Sequence, residues 1–497
     1  MQETGTTAVN AGASRAKGSH PDTGFGTPGY RKYVLGALLT VYVLNFIDRT
    51  IINILTEPIK ESFGLEDWQM GMLGGPAFAV LYTFIGIPIA RFSEKNHRVW
   101  IIAASVALWS LMTVLCGFAT SFIALFIFRI GVSIGEAGCS PPANSIIADY
   151  FIPAQRSTAV STYALGIPLG GMVAYVFGGF IVGSLDGPAV AELFSSWGWM
   201  WAVNALDWQN IEGWRIAFAV VGFPGIIVAL LVKLTIKEPP RGYTDPAAMQ
   251  GKAQVSFAEV LKILAKKPSY WHITLGVTIA SFVNYGVAQF FVSFLIRTHE
   301  MSIFDAAVKV AMVLSVMASI GTFMSGYLAD RFSVRYPKAL AWIPMIALLG
   351  STPMFIAGYL VDSLWIAIPV LMVGQMLLYT YLCPLYAVPG GVVDSRMRAT
   401  SVAVTLFIVN LLGYGLGPPL IGGLSTILNA GFLSGIDPAL SLEACKSVSL
   451  SETARAACGE ANARGLQWSM IFFKCLYLWA ALHFYLGSKT LQRDMGR

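Results

Sequence analysis

Apolar residues fall into twelve long runs, approximately 33–55, 69–92, 98–119, 121–147, 157–184, 213–236, 270–297, 303–329, 339–360, 364–389, 399–428 and 466–487. Each reaches the length of about 20 residues that a helix needs to cross a bilayer. The intervening segments are polar and short, apart from a linker after the sixth run and a loop after the eleventh. The pattern predicts an all-α polytopic membrane protein with twelve transmembrane helices. Composition agrees: 56% of residues are hydrophobic and 12% are Asp, Glu, Lys or Arg, with mean hydropathy +0.64, well below the charged fraction of soluble chains.

Residues 1–31 are polar and rich in Gly, Ser and Thr, with no apolar core of a signal peptide, and are expected to be a disordered cytoplasmic tail. With the amino terminus inside, about 23 Lys and Arg fall on cytoplasmic segments or helix ends and about 7 outside, as the positive-inside rule asks. Both termini are therefore expected in the cytoplasm. The formal charge of +6 is a topology signal and does not point to nucleic acid. Domain boundaries follow: a six-helix bundle over 32–237, a cytoplasmic linker over 238–269, a second six-helix bundle over 270–488 and a short tail over 489–497. In the linker, Phe257 to Leu264 with Lys262, Lys266 and Lys267 reads as an amphipathic helix on the inner membrane surface.

Of six cysteines, Cys116, Cys139, Cys383 and Cys475 lie in apolar runs and read as small packing residues. Cys445 and Cys458 lie in the outer loop, where either a disulfide or two free thiols is open. No cluster has metal-ligand spacing, no nucleophile motif appears and no cofactor motif appears, so an enzyme is not expected.

Four charges interrupt apolar runs: Asp48 and Arg49 in the first, Arg129 and Glu136 in the fourth. Ionised groups at membrane depth are costly and mark function by default. Asp48 and Arg129 each lie about eight residues, roughly 12 Å, from the outer end, so they are expected to pair across helices. Glu136 follows Arg129 by two turns on the same face. A purely structural ion pair is the alternative. Lys474 and His483 in the twelfth run are expected to snorkel outward and to sit at the inner interface respectively, with no role assigned.

The chain repeats. Gly86-Ile-Pro-Ile-Ala-Arg-Phe-Ser after the second run returns as Gly326-Tyr-Leu-Ala-Asp-Arg-Phe-Ser after the eighth. Arg156-Ser-Thr-Ala-Val returns as Arg398-Ala-Thr-Ser-Val. Helix five carries Gly166-Ile-Pro-Leu-Gly-Gly and helix eleven carries Gly417-Pro-Pro-Leu-Ile-Gly, compatible with close packing between halves. Two parallel six-helix repeats resemble the major facilitator superfamily, whose binding site lies between the halves near the midplane. Its Gly-x-x-x-Asp-Arg loop motif matches at Gly326, Asp330 and Arg331, and in part at Gly86 and Arg91, where Ala90 replaces the Asp. The resemblance implies a conformational switch at Arg91, Asp330 and Arg331, with Asp330 favouring the outward-facing state.

Asn45-Phe-Ile-Asp-Arg, Arg129-x-Gly131-x-x-x-Gly135-Glu-Ala137 and Glu238-Pro-Pro-Arg-Gly resemble the spinster branch, specifically its bacterial members. That resemblance implies proton-coupled transport of lysophospholipids or sphingosine-phosphate-like lipids in a bacterial inner membrane. It assigns proton coupling to Asp48 and Glu136 and headgroup binding to Arg49 and Arg129. The second half offers Phe282, Asn284, Tyr285, Gln289, Phe290, Gln375, Tyr379 and Tyr381, an aromatic wall facing a charged one, as an amphipathic ligand would require; helix packing is the plainer account of any single one. The expected partners are such a lipid, the bilayer and protons, with a monomer as default and the proton gradient in place of a cofactor. A carrier of small organic anions or drugs is the alternative, and a non-transporting receptor or scaffold a remote one.

Overall fold

Thr27 closes the first turn of the first membrane helix by accepting a bond from the Tyr30 amide at 3.3 Å, and Pro28 occupies a position whose missing N–H costs nothing there. In the computed structural model, residues 24–496 are described except 206, 245–255, 334, 395–396 and 448–449. Among the described residues, twelve helices are long and apolar enough to cross a membrane: α1 Pro28–Ile54, α2 Asp67–Ser93, α3 Arg98–Gly117, α4 Phe122–Tyr150, α5 Pro153–Ser184, α6 Gly213–Thr235, α7 Pro268–His299, α8 Asp305–Ser333, α9 Ala339–Leu360, α10 Leu364–Gly391, α11 Thr400–Ile436 and α12 Glu452–Asp494. They match the twelve apolar runs one for one.

The helix ends depart from hydropathy where polar residues find partners. Residues 28–31 belong to α1 rather than to a tail, and Phe25 packs edge-on against Tyr150 at 5.3 Å and Tyr243 at 5.4 Å. Residues 1–23 of the expected tail lie outside the described residues. The 489–494 part of the carboxy-terminal tail continues α12, whose Asp494 accepts bonds from the Ser269 amide at 3.0 Å and, through its main-chain oxygen, from Lys267 at 2.9 Å. At its other end α12 begins fourteen residues before the apolar run, at Glu452.

Seams between the halves run along α2–α11 and α5–α8. Along the α2–α11 seam a Cβ on Gly71 would collide with the Pro418 carbonyl, so glycine sets the interhelical distance; along the α5–α8 seam a Cβ on Gly179 would lie 3.0 Å from Ala307. The helix count being even, α1 and α7 start at the same end as both termini. We call this the termini end and the opposite one the far end.

The linker explains the Glu238-Pro-Pro-Arg-Gly motif. Arg98, at the start of α3 and fully buried, donates to Asp149 at 2.5 Å, to Glu238 at 2.6 Å and to the Pro239 carbonyl at 2.7 Å. Arg241 donates to the Ser93 and Asn96 carbonyls, and the Tyr243 amide donates to Asp149 at 3.2 Å. The motif therefore straps the termini ends of α2, α3 and α4 together. Beyond it, Phe257–Ala265 forms a helix capped by Ser256, with Val260 and Leu264 buried and Phe257 and Leu261 exposed.

Candidate functional site

In the first half the four charges meet, in a pairing that sequence spacing did not anticipate. Arg49 Nε donates to Glu136 Oε2 at 2.6 Å, joining α1 to α4. Its guanidinium lies over three rings, Tyr82 at 4.6 Å, Phe78 at 4.7 Å and Phe46 at 5.1 Å, a placement that suits a weakly hydrated planar cation. The Asp48 carboxylate accepts from Thr113 on α3 at 2.7 Å. Arg129 donates through Nη1 to the main-chain oxygen of Asp48 at 3.2 Å, not to its carboxylate. The expected Asp48–Arg129 ion pair is thus replaced by a contact to backbone, because successive residues on α1 are turned about 100° apart and Asp48 and Arg49 face different neighbours.

Beside these charges, buried Arg129 Nε and Nη2 and Asn45 Oδ1 have no hydrogen-bond partner among the described residues. Such a cluster in a dry bundle is costly. It marks the α1–α3–α4 contact as more than packing. The side chain of Arg49 is 19% exposed whereas that of Glu136 is closed off entirely, so the arginine is the reachable member.

The aromatic wall of the second half joins this site through one residue absent from the sequence reading. Tyr414 stands edge-on to Phe78 at 5.4 Å and to Tyr285 at 4.7 Å. A continuous path of rings therefore runs from Arg49 across the boundary between halves to α7. Tyr414 ends a π-turn, Val409–Tyr414, in α11; such turns commonly sit at functional positions, and the Gly-Tyr-Gly sequence there was the available signal. Asn284 donates to the Tyr379 hydroxyl at 3.3 Å, Tyr379 lies 6.3 Å from Tyr381, and Phe282 lies 5.7 Å from Phe473. Gln375 is half-buried on α10, and Phe290 is buried. Gln289 is placed apart from the rings: its amide donates to Thr56 at 2.9 Å, and its side chain fills the space a Cβ on Gly74 would need. It serves contact between halves.

The far end is closed by charges the sequence reading passed over. Arg297 at the end of α7 donates to Glu57 at 2.6 Å and to Asp67 at 2.8 Å through both terminal nitrogens. Lys60 reaches Asp67 at 2.7 Å, and Ser425 of α11 donates to Asp67 at 2.6 Å. Burial by itself would raise the Glu57 carboxyl, but Arg297 and then Lys60 hold it below its ordinary value. At the termini end, by contrast, Arg91, Asp330 and Arg331 are exposed, with no ion pair to them among the described residues.

Lys474 does not snorkel. It is 1% exposed, with its ammonium 3.6 Å from the centre of the Phe355 ring and 3.2 Å from the Tyr477 hydroxyl, because the aromatic side chains of α9 and α12 enclose it. His483 lies against His272, ring nitrogens 3.1 Å apart. Cys445 and Cys458 form a disulfide with Cα atoms 5.8 Å apart. Among the described residues no group of His, Cys, Asp and Glu could hold a metal ion.

Twelve helices in two related halves around a central charged site define a class that comparison also finds: residues 38–418 match the Major Facilitator Superfamily. A crystal structure of a bacterial homologue of the human lysosomal transporter spinster, in an inward-facing and unoccupied conformation, aligns with TM-score 0.88 at 41% identity, covering 94% of this chain and 99% of that one. An MFS-type efflux pump of Mycolicibacterium smegmatis is 29% identical over 394 residues, 79% of this chain and 84% of its own length. Protein spinster homolog 1 of Xenopus laevis is 25% identical over 438 residues, 84% and 77% of the two chains. The chain belongs to the Major Facilitator Superfamily as a multi-pass membrane transporter of the spinster type.

Proposed function

We propose that this transporter moves an amphipathic lipid with an anionic head, of the lysophospholipid or sphingosine-phosphate kind, in exchange for or together with protons by alternating access. The observation that carries this reading is the Arg49–Glu136 pair, seated on Phe46, Phe78 and Tyr82 and continued by Tyr414 and Tyr285 into the second half. An anionic head needs a cation that can be released; an alkyl tail needs an apolar wall beside it. A proton on Glu136 removes the negative partner of Arg49 and frees its guanidinium for the head. Loss of that proton restores the pair and expels the head. Asp48 is the second acid in reach of the same helices, and Arg129 fixes the α1 backbone against α4.

With both termini in the cytoplasm of a bacterial cell, the closed far end and the exposed Arg91, Asp330 and Arg331 at the termini end correspond to an inward-facing state. The similarity to a structure solved in that state supports this orientation. The efflux-pump relative favours export as the direction of transport, and a second reading gives the same site a small organic anion or drug as its cargo. Purified protein in liposomes tests both: lysolipid flux that follows an imposed proton gradient supports the first reading, and flux of small anions alone replaces it with the second.

A further inference from the structure

Between α5 and α6 the chain does not cross the far end as a plain loop. Residues 185–212 fold into two short helices, Gly187–Ser196 and Met200–Ala205, followed by a single turn, Trp208–Asn210. Phe194 is the centre of a small aromatic cluster, 5.5 Å from Trp208, 5.8 Å from Trp199 and 6.2 Å from Trp197. The cluster holds the hairpin together, yet it leaves its large rings outward: Trp201 is 75% exposed, Trp197 55% and Trp199 47%, beside Met200 and Leu193.

We propose that this hairpin lies in the bilayer leaflet at the far end, with Trp197, Trp199, Trp201 and Leu193 inserted at the headgroup boundary. Its two ends are the far-end termini of two membrane-spanning helices, α5 at Ser184 and α6 at Gly213, and the same end of α5 exposes the large rings of Phe177 and Phe180. Tryptophan partitions to this boundary because its apolar body and polar N–H want different surroundings. The segment holds four acids, Asp186, Glu192, Asp207 and Glu212, and no Lys or Arg, so attraction to anionic headgroups does not hold it there. Three of those acids are engaged locally: Asp186 caps the first helix, Asp207 accepts from Asn210, and Glu212 accepts from Ser62 and Trp214. The hairpin thereby anchors the far end of α5, the helix that meets the opposite half at Gly179.

Spin labels at Trp201→Cys and, with every tryptophan retained, at Leu193→Cys test this in the full chain carrying Cys383→Ser and Cys475→Ser, reconstituted in phosphatidylcholine liposomes. Thr453→Cys on the far-end start of α12 is the water-exposed reference. Oxygen accessibility exceeding that of a nickel chelate at 201 and 193, the reverse at 453, and no change on raising salt are expected. Either position reading as 453 does overturns the proposal, as does release of the labels into water by salt.

Discussion

Arg297 and Glu57 stand 2.6 Å apart across the boundary between the two halves, although 240 residues of chain separate them. With Asp67 on its other side, Arg297 is shared by two buried carboxylates. A substitution that removes it strands Glu57 and leaves Asp67 to Lys60 and Ser425.

Arg297→Ala should therefore open the far end. Loss of a buried, doubly paired arginine costs about 3 kcal/mol, on the order of a hundredfold in the ratio of two states. Distances between spin labels across the far end should lengthen; an unchanged distribution removes the clamp from the switch.

The clamp should be indifferent to pH near neutrality. Glu57 is held below its ordinary value, so its stabilising contribution is complete above the unfolded value and fades only as acid approaches the lowered one. Between roughly pH 5 and 8 the clamp stays ionised. A conformational response in that window should survive Glu57→Gln, and its loss in that variant would place proton sensing at the far end.

Proton sensing should instead fail in the first-half site. Asp48→Asn and Glu136→Gln are each expected to abolish the pH-dependent change in conformation, and the double variant must do so. A wild-type response in the double variant would reduce these charges to a structural network. Arg49→Ala should weaken head binding by about 2 kcal/mol, roughly thirtyfold in Kd, by titration with a lysolipid, and Arg129→Ala should weaken it through displacement of α1.

Asp330→Asn should leave the present state undisturbed, since Asp330 is exposed here without an ion pair among the described residues. In the alternative state its pairing would be lost. The population should shift inward, read as longer label distances across the termini end, and an unchanged distribution would remove Asp330 from the switch.

The Cys445–Cys458 bridge predicts a cross-linked peptide pair in mass spectra of unreduced protein. Complete labelling of both thiols without reductant would exclude it.

Twelve spans, two related halves and four misplaced charges were legible because hydropathy and repetition are local properties of the chain: a run of about 20 apolar residues crosses a bilayer whatever lies beside it. Asp48, Arg49, Arg129 and Glu136 stood out for the same reason. Their pairing did not, because which face of α1 meets α3 or α4 is set by packing against all neighbours together. Glu57, Asp67 and Arg297 lie at the ends of apolar runs, where charge is ordinary, and only the closing of the far end brings residues of α2 and α7 into one buried network. Beyond its flanking glycines, nothing local singles out Tyr414 among the many rings of the chain, and Gln289 is expected in the ligand wall from its place beside Tyr285. The tertiary structure puts the first on the path from Arg49 to Tyr285 and the second against Gly74, since contact between halves depends on where two bundles meet, which no single helix encodes.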